Sequence, residues 1–168
     1  MIRSARQGMP DDAENLHATA VVLEEAAILV TGESGSGKTH LALSLLGAWQ
    51  AQGRFARLLA DDQVFVMNRR GRLLARVPAA TAGLAEVSGR VVAMPHVPQA
   101  EIWLVVDLGG GAVPPGAAPT VSLKGVELPV LRLGRRPDES AFIAISAALA
   151  AICNRLSARK RVDCACFG

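Results

Sequence analysis

One octapeptide constrains this chain more than any other feature. Gly32-Glu33-Ser34-Gly35-Ser36-Gly37-Lys38-Thr39 satisfies the pattern G-x-x-x-x-G-K-[ST]. Its flanks are the right ones. Residues 26–31 (AAILVT) read as a buried strand, and HLALSLLGAWQAQG follows, with Leu41, Leu45 and Trp49 at i, i+4 and i+8 and Leu46 alongside. That spacing predicts an amphipathic helix stopping near Gly53. Glycines let the backbone turn its N–H groups inward around a phosphate, and the helix presents the positive end of its dipole. In such a loop all eight residues cradle the nucleotide. Lys38 would neutralise the β- and γ-phosphates, and the Thr39 hydroxyl would hold Mg2+. A chance match in a chain this size is well under about one in a hundred. The motif points to nucleotide binding and leaves the reaction open.

The remaining chain reads as short strands closed by a helix. Residues 1–14 are a polar lead-in. Residues 18–24 and 26–31, separated at Glu24-Glu25, predict a hairpin. Strands are expected within 56–67, broken at Asp61-Asp62, then over 73–77, on either side of Gly89, and over 102–107. Gly109 to Pro119 is a loop rich in Gly and Pro. Two short strands near 120–123 and 126–133 precede a helix that begins around Pro137-Asp138-Glu139. Its Phe142, Ile145, Leu149, Ile152 and Leu156 form a stripe suited to packing on a sheet. The expected architecture is α/β, with one catalytic domain over 15–156 and a tail over 157–168.

Composition narrows the function classes. The chain has 168 residues, enough for one domain with a real core. Aromatics make up 4% and Tyr is absent, so the core is aliphatic and nucleic-acid binding by stacked bases is disfavoured. An adenine would be held by backbone and aliphatic contacts. The net charge of +3 permits a phosphate-bearing partner without implying a DNA clamp. Cys153, Cys164 and Cys166 form no disulfide framework, and Cys164-Ala-Cys166 lacks further metal ligands. No apolar run reaches the roughly 18–20 residues of a membrane span, and no signal peptide opens the chain. A cytoplasmic protein with no membrane partner is expected.

A phosphate loop needs a carboxylate for a metal or a nucleophile. Asp61-Asp62 follow one apolar run and Asp107 ends another. Adjacent carboxylates repel, so a cation or a proton-transfer role would justify the first pair. His17, just before the first hairpin, and Glu86, between small and apolar residues, are further candidates; Glu86 reads as a metal ligand.

Taken in order, these residues resemble the catalytic domain of bacterial HPr kinase/phosphorylase. That family places a His before a strand pair, a loop like GxSGxGKS, an apolar run ending in ADD, and a segment like GLxEVRG. Here these are His17, Gly32 to Thr39, Leu58 to Asp62, and Gly83 to Gly89. The resemblance runs from about residue 15 to about 150. It implies a P-loop-containing fold similar to the HPr kinase C-terminal domain and to the nucleotide-binding subdomain of phosphoenolpyruvate carboxykinase. His17 then matches the active-site His and Lys38 the phosphate-binding Lys. Asp61, with Asp62 beside it, matches the general base, and Thr39 and Glu86 match the Mg2+ ligands. The implied reaction moves the γ-phosphoryl group of ATP to a serine of HPr or a paralogous phosphocarrier. The implied assembly is a homo-oligomer, a hexamer in the family, and the implied form is a short one with the catalytic domain alone.

Some positions depart from the family. His40 replaces an acidic residue and Ser88 an Arg. The stretch between Lys38 and Asp61 is longer by roughly two helical turns. Gly109 to Pro119 offers no counterpart of a catalytic Arg. A late segment like PVRPGRN, linked to phosphorolysis, aligns with Gly134 to Ser140, where Asp138 and Glu139 bring negative charge. Such charge opposes phosphate capture, so weak or absent phosphorylase activity is expected. Two rival readings are another P-loop small-molecule kinase or ATPase using Asp107, and a nucleotide-binding regulatory module that does not catalyse.

Overall fold

A computed structural model of the chain describes residues 8–109 and 118–165. Eleven strands and two helices follow one another as β1 (Glu14–Leu16), β2 (Thr19–Leu23), β3 (Ala26–Thr31), α1 (Lys38–Ala51), β4 (Ala56–Ala60), β5 (Val64–Arg69), β6 (Arg72–Arg76), β7 (Leu84–Val87), β8 (Arg90–Ala93), β9 (Gln99–Asp107), β10 (Thr120–Leu123), β11 (Val126–Arg132) and α2 (Ser140–Ala165). A nine-stranded mixed sheet runs β1-β5-β6-β9-β3-β2-β4, with β11 also on β9 and β10 on β11. The hairpin β7-β8 stands apart as a second sheet.

Strand alternation divides the core into two layers. Val21, Leu23, Ile28, Val30, Leu104 and Val106 face both helices, meeting Leu41, Leu45 and Trp49 of α1 and Ile145, Leu149 and Ile152 of α2. Their neighbours Ala20, Val22, Ala27, Leu29 and Val105 face the other way, onto Val64, Val66, Leu73, Val126 and Leu128. Both helices therefore lie on one side, and the sheet curls to cover its own second face. The curl is possible because β9 shares one edge: Gln99 to Glu101 pair with β6, and Val105 to Asp107 pair with β11.

The expected hairpin, the helix after the loop and the C-terminal stripe all stand where the sequence placed them. Two boundaries differ. The polar lead-in runs into β1, which starts at its last residue, Glu14, pairs antiparallel with β5 and is anchored by Ala13, buried with Phe65 and Met67. Period-two apolar alternation is absent from Glu14-Asn15-Leu16, so only the pairing reveals it. The helix α2 continues to Ala165, into the expected tail, because no Gly or Pro follows Ser140 to stop it before that point. The Cys164 and Cys166 thiols and residues 110–117 of the Gly/Pro-rich loop lie outside the described residues. No helix among the described residues is long and apolar enough to cross a membrane.

Candidate active site

Register brings the site together at one end of the sheet. Thr19 opens β2 opposite Val30 near the end of β3, and Ala20 pairs with Ala60 at the end of β4. Three segments therefore converge: the entry to β2, the phosphate loop after β3, and Asp61-Asp62 after β4. A fourth arrives through β1, because Leu16 pairs with Val64 and so sets His17 beside Asp62. The polar pocket they form measures about 370 Å³ and is lined by His17, Lys38, Thr39, Asp61, Asp62 and Glu86, among others.

The phosphate loop has the shape its glycines predict. Gly37 adopts φ 102° and ψ 18° at the start of α1, where no side chain caps the helix and no acidic residue occupies the first turn. The free N–H groups of that turn are left for an anion. Lys38, 7% exposed, donates from Nζ to the carbonyls of Gly32 (3.0 Å) and Glu33 (3.1 Å). The Ser36 hydroxyl is buried in the loop without a partner.

Asp61 is 9% exposed and held from three sides. Its Oδ1 accepts from the Thr19 hydroxyl (2.9 Å) and the Thr39 hydroxyl (2.8 Å), and its Oδ2 accepts from the Glu86 N–H (3.0 Å). Asp62 sits in the left-handed region at φ 69°, a conformation Asp tolerates better than most residues. That turn sends its carboxylate outward to His17 Nδ1 at 2.8 Å. His17 Nε2 lies 3.4 Å from Lys38 Nζ. Both contacts are satisfied when His17 carries its proton on Nδ1, donates to Asp62 and accepts from Lys38.

The set fits Mg2+ bound together with substrate phosphates. A hydroxyl that donates to a buried carboxylate keeps its lone pairs free for a cation, which is the Thr39–Asp61 arrangement. Among the described residues no three His, Cys, Asp or Glu side chains converge as a ready-made metal cage. Mg2+ in phosphoryl-transfer sites needs none, since phosphates and water complete its shell. Asp107 does not line this pocket: it ends β9 in register with Thr31, the residue before the phosphate loop, and its Oδ1 accepts the Gly109 N–H at 3.0 Å.

One participant stood out in the sequence only as part of the late segment that the resemblance aligns, Gly134 to Ser140. The segment after β11 folds back over the phosphate loop. The Arg136 N–H donates to the Ser36 carbonyl (2.9 Å), and Arg135 Nη1 lies 3.1 Å from Glu33 Oε2. A side chain at Gly37 would meet the Arg136 backbone at 3.5 Å. The signals were that alignment and the run Arg135-Arg136, and nothing local says which loop the segment would meet.

A larger cavity of about 480 Å³ lies away from this site, between α2 and the β6–β9–β11 edge, and contains no residue of the phosphate loop.

Sheet order, the loop between β3 and α1, and two helices on one face define a P-loop-containing α/β domain. No protein-family model matches the chain. Over 74 residues it is 40% identical to the HPr kinase/phosphorylase of Clostridium beijerinckii and 40% identical to that of Clostridium tetani. Each match covers 44% of this chain and only 22% of the relative's length. The structure of the Hpr(Ser) kinase/phosphatase from Coxiella burnetii has the same fold, with a TM-score of 0.69 at 20% identity over 92% of this chain and 98% of that one. Over those 74 residues the chain is similar to HPr kinase/phosphorylases, and over most of its length it shares the fold of one such enzyme.

Proposed function

We propose that this protein is an ATP- and Mg2+-dependent serine kinase whose acceptor is HPr or a paralogous phosphocarrier. The observation that carries the reading is the meeting of Thr39, Asp61, Asp62, His17 and Lys38 in one pocket at the mouth of the phosphate loop. A serine hydroxyl attacks poorly until a carboxylate takes its proton during transfer. Asp61 retains acceptor capacity on Oδ2, and three donors fix its orientation. In this reading the serine oxygen bonds to the γ-phosphorus, its proton passes to Asp61, and ADP leaves. Lys38 exchanges its loop carbonyls for phosphate oxygens, while His17 holds Asp62 and abuts Lys38. Thr39 and Glu86 would hold Mg2+, which supplies charge neutralisation on the transferring group.

The reading includes weak or absent phosphorolysis. The Arg135 guanidinium is engaged by Glu33, and Asp138 and Glu139 bring negative charge beside the first turn of α1. Capture of an additional phosphate is disfavoured there.

Incubation with ATP, Mg2+ and the phosphocarriers of the same organism, followed by mass spectrometry, tests this directly. A phosphoserine that requires Lys38 and Asp61 supports it. The ATPase or small-molecule-kinase reading predicts dependence on Asp107 instead, and the regulatory-module reading predicts ATP binding with no transfer. Pyrophosphate formed from phosphorylated carrier and inorganic phosphate would count against weak phosphorolysis.

A further inference from the structure

Thr19 places a hydroxyl where packing requires none. It is 1% exposed at the start of β2 and pairs with Val30 of β3. By alternation it shares a face with Val21 and Leu23, which pack against α1. Valine has the same branched shape, suits a strand as well and carries no hydroxyl to desolvate. What the hydroxyl meets is Asp61 Oδ1, at 2.9 Å. The backbone arranges that meeting. Val21 pairs with Leu58 of β4, yet Ala20 pairs with Ala60, so β4 carries one extra residue there. Without it Ala20 would face Leu59 and Thr19 would face Ala60. Such bulges re-aim side chains, and this one brings Asp61 to Thr19.

We infer that Thr19 is a positioning residue for phosphoryl transfer, its hydroxyl fixing Asp61 by Oδ1 so that Oδ2 is left for the serine proton. This rests on the kinase reading above and adds how its general base is held. Asp61 has three donors, and they stand on different elements. Thr39 also donates to Oδ1, at 2.8 Å, but it belongs to the phosphate loop and would take up Mg2+ with the nucleotide. Its tie lies in the part of the site that each turnover remakes. The Glu86 N–H comes from the β7-β8 hairpin, which stands apart from the main sheet. Thr19 is the donor built into the main sheet, on a strand flanked by β3 and β4. It lies outside the phosphate loop and outside the proposed Mg2+ ligands. A donor on a paired strand holds a reactive group more closely in line than one on a loop.

The same short stretch handles the neighbouring carboxylate. Two residues before Thr19, His17 Nδ1 lies 2.8 Å from Asp62 Oδ1. Adjacent carboxylates repel. Thr19 keeps Asp61 inward and His17 keeps Asp62 outward, a split that begins with the left-handed turn at Asp62. One strand entry therefore orients both members of the acidic pair.

Thr19→Val removes the hydroxyl and keeps the shape. With ATP, Mg2+ and the phosphocarrier of the same organism, it should lower kcat about tenfold and leave the KM for ATP within about twofold. Thr19→Ser, which restores the hydroxyl, should recover most of that loss. In an Asp61→Asn background Thr19→Val should lower the rate no further, since the group it positions is gone. Circular dichroism checks folding, and if Thr19→Val does not fold, Thr19→Ala takes its place in the same comparison. An unchanged kcat, a loss confined to KM, a Thr19→Ser rate as low as that of Thr19→Val, or a further tenfold loss in the Asp61→Asn background would overturn the positioning role alone. A wild type that forms no phosphoserine would overturn the kinase reading, and the role of Thr19 with it.

Discussion

The Thr39 hydroxyl donates to Asp61 Oδ1 at 2.8 Å, tying the last residue of the phosphate loop to the carboxylate that closes β4. Asp61→Asn replaces one oxygen of that carboxylate with a donor, which meets either two hydroxyls or the Glu86 N–H. Phosphoryl transfer should fall by about 10²–10⁴, the usual worth of an acid–base group. Asp107→Asn, acting on a residue engaged with Gly109, should leave transfer near the wild-type rate. Quantified phosphoserine formation by both variants decides between the two carboxylates.

His17 spans Asp62 and Lys38. Removing the ring in His17→Ala frees both partners without touching the loop backbone. Turnover should drop about a hundredfold, the scale of a misplaced reactive group, while the KM for ATP changes little. Steady-state kinetics that showed the loss in KM alone would contradict a positioning role.

Gly37 stands at φ 102°, where L side chains are strained. Gly37→Ala should disfavour the loop conformation by about 1–2 kcal/mol, a roughly tenfold or greater loss of ATP affinity. Circular dichroism should be unchanged, since the residue lies outside the core.

Leu45 is fully buried between α1 and the sheet. Leu45→Ala should cost about 2–5 kcal/mol of stability through lost contacts and a cavity. Urea unfolding will measure it, and the KM for ATP should be unaffected at temperatures where the variant is folded.

The Arg69 side-chain hydrogen bond holds the Asp12 carboxyl below its ordinary value of 3.8. A depressed carboxylate stabilises the fold above its unfolded pKa and loses that contribution as pH falls through its folded pKa. The stability gap between the wild type and Asp12→Asn should therefore be small at about pH 7, given the exposure of the pair, and should be smaller still at about pH 3, below the ordinary value of 3.8. Denaturant melts at the two pH values check the sign. A gap that widened in acid would contradict the assignment.

Much of this site is legible in the chain. Gly32 to Thr39 declare a phosphate loop because the chemistry tolerates few residue types there, and Leu58 to Asp62 stand out because adjacent carboxylates after an apolar run are costly. Glu86 was found by its odd surroundings, although its closest tie to Asp61 is through the backbone N–H, which any residue could offer. What stayed hidden depends on pairing between distant segments. The strand β1 shows no alternation, yet its register with β5 delivers His17 to Asp62. Arg135 and Arg136 reach the phosphate loop only because β11 runs parallel to β9 and ends beside it. Local periodicity carries no information about either.

The β2-β3 hairpin has consequences for how the chain can be altered. Its open end holds Thr19 and the phosphate loop, and its closed end is the Glu24-Glu25 turn, with Glu24 at φ 57° and paired with Arg54. Inserting one residue between His17 and Thr19 would shift Thr19 away from Asp61 or reverse the faces of β2. Extra residues at the exposed turn would leave the register of both strands intact. A reporter or affinity tag spliced between Glu24 and Glu25 therefore rides at the end of the hairpin remote from the chemistry.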